Sequence, residues 1–300
     1  MLRQLMGDIM STYSRLSKVY SNAMRIPFDS SSKFVLMSDC HRGDGSWVDN
    51  FLHNQHLYYA ALKYYYDSGF TYFDLGDSEE LWKFHDLEDI SRIYIDIYRL
   101  LHYFYKHRRL FMIFGNHDIE KRDPKYARMH MARFYDNHRD AYEPLFEGIL
   151  VHEGIILQST ETGREVFLVH GHQGDIKDDQ LWKAGRFFVY HFWRRMEHIG
   201  FKDITSAAKN NIKKKKVEHD LSQWAVDHQK IIIAGHTHRP TCPLDRKIPY
   251  FNVGSAVHPS CITCLELQNN TLTLVKWNVR TKDGGTLYVK RQEIAVPRTI

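Results

Sequence analysis

The chain has 300 residues, of which 43% are hydrophobic and 26% charged, and its net charge is +5 with all 19 histidines neutral. This composition is typical of a globular protein and excludes a low-complexity, collagen-like or strongly polycationic chain. The mild positive charge suits an anionic substrate but does not by itself indicate nucleic acid.

The beginning of the chain is predicted to be helical. Residues 1–30 form an expected N-terminal amphipathic helix, with apolar residues at helical spacing, basic residues beside them, and Pro27 with a serine run ending it. This helix either packs on the body or touches a membrane surface. No stretch approaches the roughly 18 apolar residues of a membrane span, and no signal peptide is evident. We therefore expect a cytoplasmic protein, with peripheral membrane contact through this helix or the cap described below as the alternative.

Strands and helices alternate in the next part of the chain. The predicted strands are 34–37, 72–75 and 110–114, and the predicted helices are about 48–67, 87–107 and 124–137. This alternation indicates a largely parallel sheet covered by helices. A hairpin is predicted from 149–158 and 165–169.

The last third of the chain divides into two parts. Residues 177–228 have almost no strand signal and are predicted to form a helical cap insertion. One apolar stripe of its first helix would pack on the body, and a second needs either the other helix of the cap or an apolar ligand. Lysines 213–216 in the cap are either a solvated helix face or a site for an anionic membrane or polyanion. Strands are predicted at 231–234, 250–253, 261–267, 271–279 and 286–294, and they would form a second sheet stacked on the first.

Five predicted strands run directly into Asp, Asn or His residues. One such strand end is ordinary turn chemistry, but five of them predict a metal site. The candidate ligands are Asp39, His41, Asp77, Asn116, His170, His236 and His238. Seven ligands are too many for one ion, so we predict two divalent ions that share a carboxylate, with Mn²⁺ first and Fe or Zn²⁺ as alternatives.

A two-metal centre can hold an activated hydroxide and clamp the oxygens of a phosphoryl group during in-line displacement. His117 follows a candidate ligand directly and would donate a proton or hydrogen bond to the phosphate, with Asp118 orienting it. Arg239 and Arg42 each follow a candidate ligand and would either neutralise substrate oxygens or form simple surface ion pairs.

The set of motifs resembles that of the calcineurin-like metallophosphoesterases. The motifs are Asp39-x-His41, Gly76-Asp77-x-x-Glu80, Gly115-Asn116-His117-Asp118, His170-Gly171-His172 and Gly235-His236-Thr237-His238. The resemblance implies a four-layer α/β/β/α sandwich over residues 31–300, with the cap at about 177–228. It also implies that Asp39, His41 and His238 hold one metal, that Asn116, His170 and His236 hold the other, and that Asp77 bridges them. His117 would match the histidine that contacts the phosphate.

Within this superfamily, the chain resembles the UDP-2,3-diacylglucosamine pyrophosphatases. The shared features are the run from Gly76 to Trp82, the run from Gly235 to Pro240, and the position of the helical insert, which in that branch covers the site and holds acyl chains. The chain differs where that branch has Arg in place of His117 and Asp in place of His172.

The sequence thus predicts a dinuclear metal-dependent phosphohydrolase for a phosphoester or pyrophosphate, with a nucleotide-linked or lipid-like substrate. A nuclease of the same superfamily is one alternative, but it would need a basic groove, and the basic residues are scattered. A non-catalytic metal-binding scaffold is another, although such a protein would be expected to have lost some ligands. We do not expect nucleic acid to be the partner.

Overall fold

The structure is a computed structural model that describes residues 11–84, 86–137, 139–175, 179, 189, 211–245 and 247–300. Its helices are α1 (Thr12–Asn22), α2 (Gln55–Asp67), α3 (Leu87–Ile93), α4 (Ile95–Lys106), α5 (Pro124–His130) and α6 (Asn211–Asp227). Short 3₁₀ turns lie at Leu52–Asn54, Ile119–Arg122 and His172–Gly174. Within the described ranges, no helix combines the length and apolar character that crossing a lipid bilayer requires.

The described strands form two large sheets and one small hairpin. They are β1 (Met24–Phe28), β2 (Lys33–Met37), β3 (Thr71–Asp74), β4 (Leu110–Ile113), β5 (Arg133–Asp136), β6 (Ala141–Pro144), β7 (Val151–His152), β8 (Gly154–Ser159), β9 (Glu165–Val169), β10 (Ile231–Ala234), β11 (Tyr250–Asn252), β12 (Cys261–Gln268), β13 (Thr271–Thr281), β14 (Leu287–Glu293) and β15 (Arg298–Thr299). The first sheet has the order β14-β13-β12-β2-β3-β4-β7, with β15 beside β13. The second sheet has the order β1-β8-β9-β10-β11, and β5 pairs only with β6.

Three apolar clusters show how the layers stack. Leu36, Phe73, Leu168 and Ile233 belong to a core shared by the two sheets. A second core joins the first sheet to α2 and α4, and a third joins the second sheet to α1 and α6. The predicted four-layer α/β/β/α sandwich is therefore confirmed.

The N-terminal segment contributes to this sandwich. Leu16 and Val19 of α1 are buried against the second sheet, so the described part of the helix packs on the body. The prediction missed β1, which pairs in parallel with β8. Pro27 lies inside this strand, and it is tolerated there because β1 is an edge strand, where a missing N–H need not break a ladder between two neighbours. Residues 1–10 lie outside the described residues.

Three predicted helices are shorter than expected. The segment predicted at 48–67 is a 3₁₀ turn followed by α2. The helix predicted at 87–107 is broken at Tyr94, whose φ of −103° and ψ of 33° leave the helical region and whose hydroxyl donates to buried Asp49. The helix predicted at 124–137 ends at His130, because the next residues alternate in burial and form the β5–β6 hairpin.

The predicted hairpin around residue 160 is present, but its first strand is shorter than expected. Of the predicted first strand, the β8 part pairs with β9, whereas the β7 part pairs with β4 in the first sheet. The chain changes sheets at Glu153, so the predicted strand at 149–158 is two strands in different layers. The later strands also divide: β10 and β11 join the second sheet, and β12, β13 and β14 extend the first.

The described end of the predicted cap belongs to the sandwich. Val217, Leu221 and Trp224 of α6 are buried in the core of the second sheet, and the Trp224 indole donates to Ser17 of α1 at 3.0 Å. The apolar side of this helix is therefore covered by the sheet and by α1. Apart from Asp179 and Val189, the first predicted cap helix, with its two stripes, lies outside the described residues.

Candidate metal centre

The seven candidate ligands lie at one edge of the sandwich. They follow β2, β3 and β4 of the first sheet and β9 and β10 of the second, and within each group the strands run parallel. Parallel strands place their carboxyl ends at the same edge. Six of the seven are buried, with 7% or less of the residue exposed, and the His238 side chain is 12% exposed.

One group of candidate ligands contains Asp39, His41 and His238. The Nε2 atom of His238 is 3.0 Å from Oδ1 of Asp39, and Nε2 of His41 is 3.8 Å from the same oxygen. The two Nε2 atoms are 3.3 Å apart. All three side chains can therefore bind one cation.

A second group contains Asp77, His170 and His236. Nε2 of His170 is 3.1 Å from Oδ2 of Asp77, and Nε2 of His41 in the first group is 3.9 Å from that oxygen. Asp77 therefore lies between the two groups. The structure brings together the residues that the sequence placed at five separate strand ends.

The backbone is constrained at the same place. Five candidate ligands have positive φ angles, between 49° and 65°, which residues with a side chain rarely adopt. They are Asp39, His41, Asp77, His236 and His238. Unfavourable backbone angles of this kind cluster at functional sites, where the surrounding structure holds them in place.

Two glycines allow the strand ends to approach one another. A Cβ atom on Gly115 would lie 2.1 Å from Oδ1 of Asp77, and one on Gly235 would lie 2.1 Å from Oγ of Ser38 and 2.6 Å from Oδ2 of Asp39. Real Cβ atoms do not approach other atoms this closely. Glycine is needed at both positions because a candidate carboxylate or its neighbour fills the space.

The hydrogen bonds leave metal-binding atoms available. His170 donates from Nδ1 to the Leu75 carbonyl at 2.9 Å, so Nε2, which faces Asp77, is the nitrogen that a cation would bind. Asn116 is 2% exposed, and among the described residues its Oδ1 atom has no hydrogen-bond partner. A buried acceptor without a partner is costly. A divalent cation at this position would satisfy it, so the residues present fit a metal.

The carboxylates and imidazoles of the centre shift one another's pKa values. Burial would lower the pKa of His170, but Asp77 and Asp39 outweigh it and raise that pKa to about 9. Burial would raise the pKa of Asp77, but nearby histidines outweigh it and lower that pKa. Burial lowers the pKa of His236 to about 3, so this imidazole stays neutral, which is the form that binds metals.

His117 lies beside the two groups, and a carboxylate holds its ring. Its Nδ1 atom is 2.8 Å from Oε1 of Glu80, and Nδ1 of His41 is 3.2 Å from Oε2 of the same residue. Trp82 stacks on the His117 ring, with ring centroids 4.4 Å apart. Glu80 therefore orients His117 and a candidate ligand together. Glu80 belongs to the Gly76-Asp77-x-x-Glu80 motif, but nothing in the sequence indicates that its partners are two imidazoles.

Two roles expected from the sequence are corrected. Asp118 does not orient the His117 ring: it accepts hydrogen bonds from the backbone amides of Gly115 and Ser78, at 2.7 and 3.0 Å, and from the Lys121 ammonium. It therefore ties the β3 and β4 ends together. Arg42 is only 1% exposed and binds Glu79 at 2.6 Å in the interior, so it is neither a surface ion pair nor available to a substrate.

Arg239 remains at the surface beside the centre. Its side chain is 45% exposed and donates to Glu218 of α6 at 3.2 Å. Glu218 also accepts from the Thr237 hydroxyl at 3.0 Å, between the candidate ligands His236 and His238. Helix α6 is thereby connected to the loop that follows β10.

A third polar group, which was not predicted from the sequence, lies near His170. Fully buried His172 lies with Asp179 and Glu153, and Nε2 of His172 is 3.8 Å from Oδ1 of Asp179. Arg15 of α1 forms ion pairs with Asp179, at 2.9 Å, and with Glu153. The guanidinium pairs with both carboxylates, and it connects α1 to the segment that follows His170.

Comparison with models of protein families identifies a match over most of the chain. The model of the family described as calcineurin-like phosphoesterase matches residues 32–240. No curated protein matches the chain. The crystal structure of Vps29 from Chaetomium thermophilum has 12% sequence identity and a TM-score of 0.40, over 90% of this chain and 98% of that one. A cold-active protein-tyrosine phosphatase from a psychrophilic Shewanella species has 15% identity and a TM-score of 0.40, over 89% and 82% of the two chains. These two likenesses are too distant to bear on function.

Proposed function

Because this chain belongs to the calcineurin-like phosphoesterase family, we propose that it hydrolyses a phosphoester or pyrophosphate bond with two divalent metal ions. The observation that carries the proposal is the meeting of six carboxylate and imidazole ligands at one edge of the sandwich, with buried Asn116 following the neighbouring strand β4. Asp39, His41 and His238 would hold one ion. Asn116, His170 and His236 would hold the other, and Asp77 would bridge the two.

The ions would supply Lewis acidity and lower the pKa of water, which are the two requirements for attack on a phosphoryl group at neutral pH. The residues of the chain orient the His117 ring. Glu80 accepts the Nδ1 hydrogen of His117 and leaves Nε2 to contact a phosphoryl oxygen or the leaving group. Stacking on Trp82 holds the ring in this orientation.

The experiment is hydrolysis of bis-p-nitrophenyl phosphate by metal-free protein reconstituted with Mn²⁺, Fe²⁺ or Zn²⁺, with metal content measured alongside. We expect metal-dependent turnover, highest with Mn²⁺, that is lost in Asn116→Ala and falls by about a hundredfold or more in His117→Ala. His219 is exposed on α6 and Asn22 on α1, so His219→Ala and Asn22→Ala are matched controls. Binding of two ions without turnover would favour a scaffold instead.

The finer proposal is a nucleotide-linked, lipid-like substrate, as in the UDP-2,3-diacylglucosamine pyrophosphatases. The run from Gly76 to Trp82, which this chain shares with that branch, supports it. The same reaction with a UDP-linked diacyl sugar and with its unacylated counterpart tests it. Equal kcat/KM for the two substrates would remove the acyl chains from the proposal and leave the phosphoesterase activity standing.

A further inference from the structure

The polar group near His170 contains a buried imidazole that has no partner. His172 is fully buried, and in the part of the chain that the structure describes neither of its ring nitrogens has a hydrogen-bond partner. Nε2 of His172 faces Oδ1 of Asp179 at 3.8 Å, which is too long for a hydrogen bond. Burying a polar group without a partner is unfavourable. The position of the ring therefore calls for a ligand at Nε2.

Two carboxylates complete the group. One donor atom from each of His172, Asp179 and Glu153 lies within 4.8 Å of the other two. The donors around a tetrahedral zinc ion are about 3.4 Å apart, so small side-chain movements bring all three into contact with one ion. The side chain of Glu153 is 29% exposed, whereas that of Asp179 is 4% exposed. A cation can therefore enter at Glu153, where a water molecule can complete its coordination.

The guanidinium of Arg15 pairs with both carboxylates without satisfying either completely. It donates from Nε to Oδ2 of Asp179 at 2.9 Å and from Nη2 to Oδ1 at 3.3 Å, and it also donates to Oε1 of Glu153. A carboxylate offers about four lone-pair sites, so one that accepts from Arg15 can also bind an ion. Arg15 would then hold the two carboxylates in place from outside, as hydrogen-bond partners of metal ligands commonly do.

We propose that His172, Asp179 and Glu153 bind a further divalent ion, Zn²⁺, separate from the dinuclear centre. None of the three belongs to either group of candidate ligands described above. One imidazole and two carboxylates, with a fourth position for water, are a ligand set that suits zinc. Glu153 lies where the chain changes sheets, and His172 and Asp179 lie in the segment that follows β9. The ion would therefore join that segment to the sandwich and, through Arg15, to α1.

The test is the number of zinc ions bound by metal-free protein after equilibrium dialysis against buffered Zn²⁺, with the metal measured by mass spectrometry. His172→Leu keeps much of the side-chain volume but offers no ligand. We expect it to hold one Zn²⁺ per chain fewer than the unaltered protein. His219 is exposed on α6, so His219→Ala should leave the number unchanged.

A second variant covers the possibility that His172→Leu destabilises the fold. Glu153 is partly exposed and Gln keeps its size, so Glu153→Gln should fold normally. Loss of the charged ligand should weaken binding of this one ion by about tenfold or more. Glu147→Gln, at an exposed position, should leave zinc binding unchanged.

Crystals equilibrated with Zn²⁺ would locate the ion directly. Anomalous diffraction should show a peak about 2.0–2.1 Å from Nε2 of His172. A peak at the dinuclear centre with none at His172 would overturn the inference, as would equal zinc content in the unaltered protein, His172→Leu and Glu153→Gln. Because zinc is counted without turnover, this result is separate from failure to hydrolyse bis-p-nitrophenyl phosphate, which would refute the proposed function.

Discussion

Replacing Glu80 with Gln tests the link between His117 and the candidate metal centre. Glu80 is 5% exposed, and its two oxygens lie 2.8 Å from Nδ1 of His117 and 3.2 Å from Nδ1 of His41. Gln keeps the size of the side chain but has only one accepting oxygen. In Glu80→Gln one of the two rings therefore loses its acceptor, and neither retains a charged one.

The expected loss follows from the strength of these bonds. A hydrogen bond to a charged group contributes about 1.5–3 kcal/mol, and each 1.4 kcal/mol corresponds to about tenfold in rate. We therefore expect kcat for bis-p-nitrophenyl phosphate to fall by about 10- to 100-fold. Metal affinity should fall by about tenfold or more through His41, because partners of ligating histidines have effects of this size.

The assay is a double-mutant cycle with His117→Gln, run at saturating Mn²⁺ after the metal affinity of each variant has been measured. If Glu80 acts through His117, the double variant should have nearly the same kcat as His117→Gln alone. Additive losses would refute this reasoning. Glu147 is exposed and remote from both histidines, so Glu147→Gln should leave kcat and metal affinity unchanged.

Three further predictions concern stability. Burial would raise the pKa of Glu165, but hydrogen bonds from Lys230, Tyr20 and Arg25 outweigh it and lower that pKa from 4.5 to about 2. The ionised cluster is therefore fully stabilising above pH 4.5 and loses its effect as the pH falls toward 2. In urea unfolding, Glu165→Gln should lower the free energy of unfolding by about 2 kcal/mol at pH 7, after allowance for screening, and should change it little at pH 2. An equal decrease at the two pH values would contradict this prediction. Gly115→Ala should lower the free energy of unfolding by about 2 kcal/mol and should weaken Mn²⁺ binding in titrations. Gly284 has open space around it, so Gly284→Ala should change neither quantity. Mn²⁺ at a hundred times its dissociation constant should raise the free energy of unfolding by about 2.7 kcal/mol per site, and Asn116→Ala should reduce that gain.

The positions of the candidate ligands could be predicted because each follows a strand directly. Parallel strands bring such ends together whatever the exact helix boundaries are. The errors arose where tertiary pairing decides the structure. The strand of residues 133–136 reads as a continuation of a helix until β6 pairs with it, and β1 depends on its partner β8. Arg42 was misplaced because nothing in its sequence context indicates the buried partner Glu79.

Buried ion pairs support the turns in which the candidate ligands have left-handed backbone angles. A left-handed angle costs a residue with a side chain about 1–2 kcal/mol, so five such ligands cost roughly 5–10 kcal/mol, a large part of the stability of a typical domain. Asp118 offsets this by fixing amides at the β3 and β4 ends, and Lys121 binds both Asp118 and Glu79. The ionised side chains of Asp118, Lys121 and Glu79 hold the turns in place before any metal binds. Removing Lys121 should therefore loosen Asp77 and Asn116, the candidate ligands that follow β3 and β4, although Lys121 is not itself a ligand.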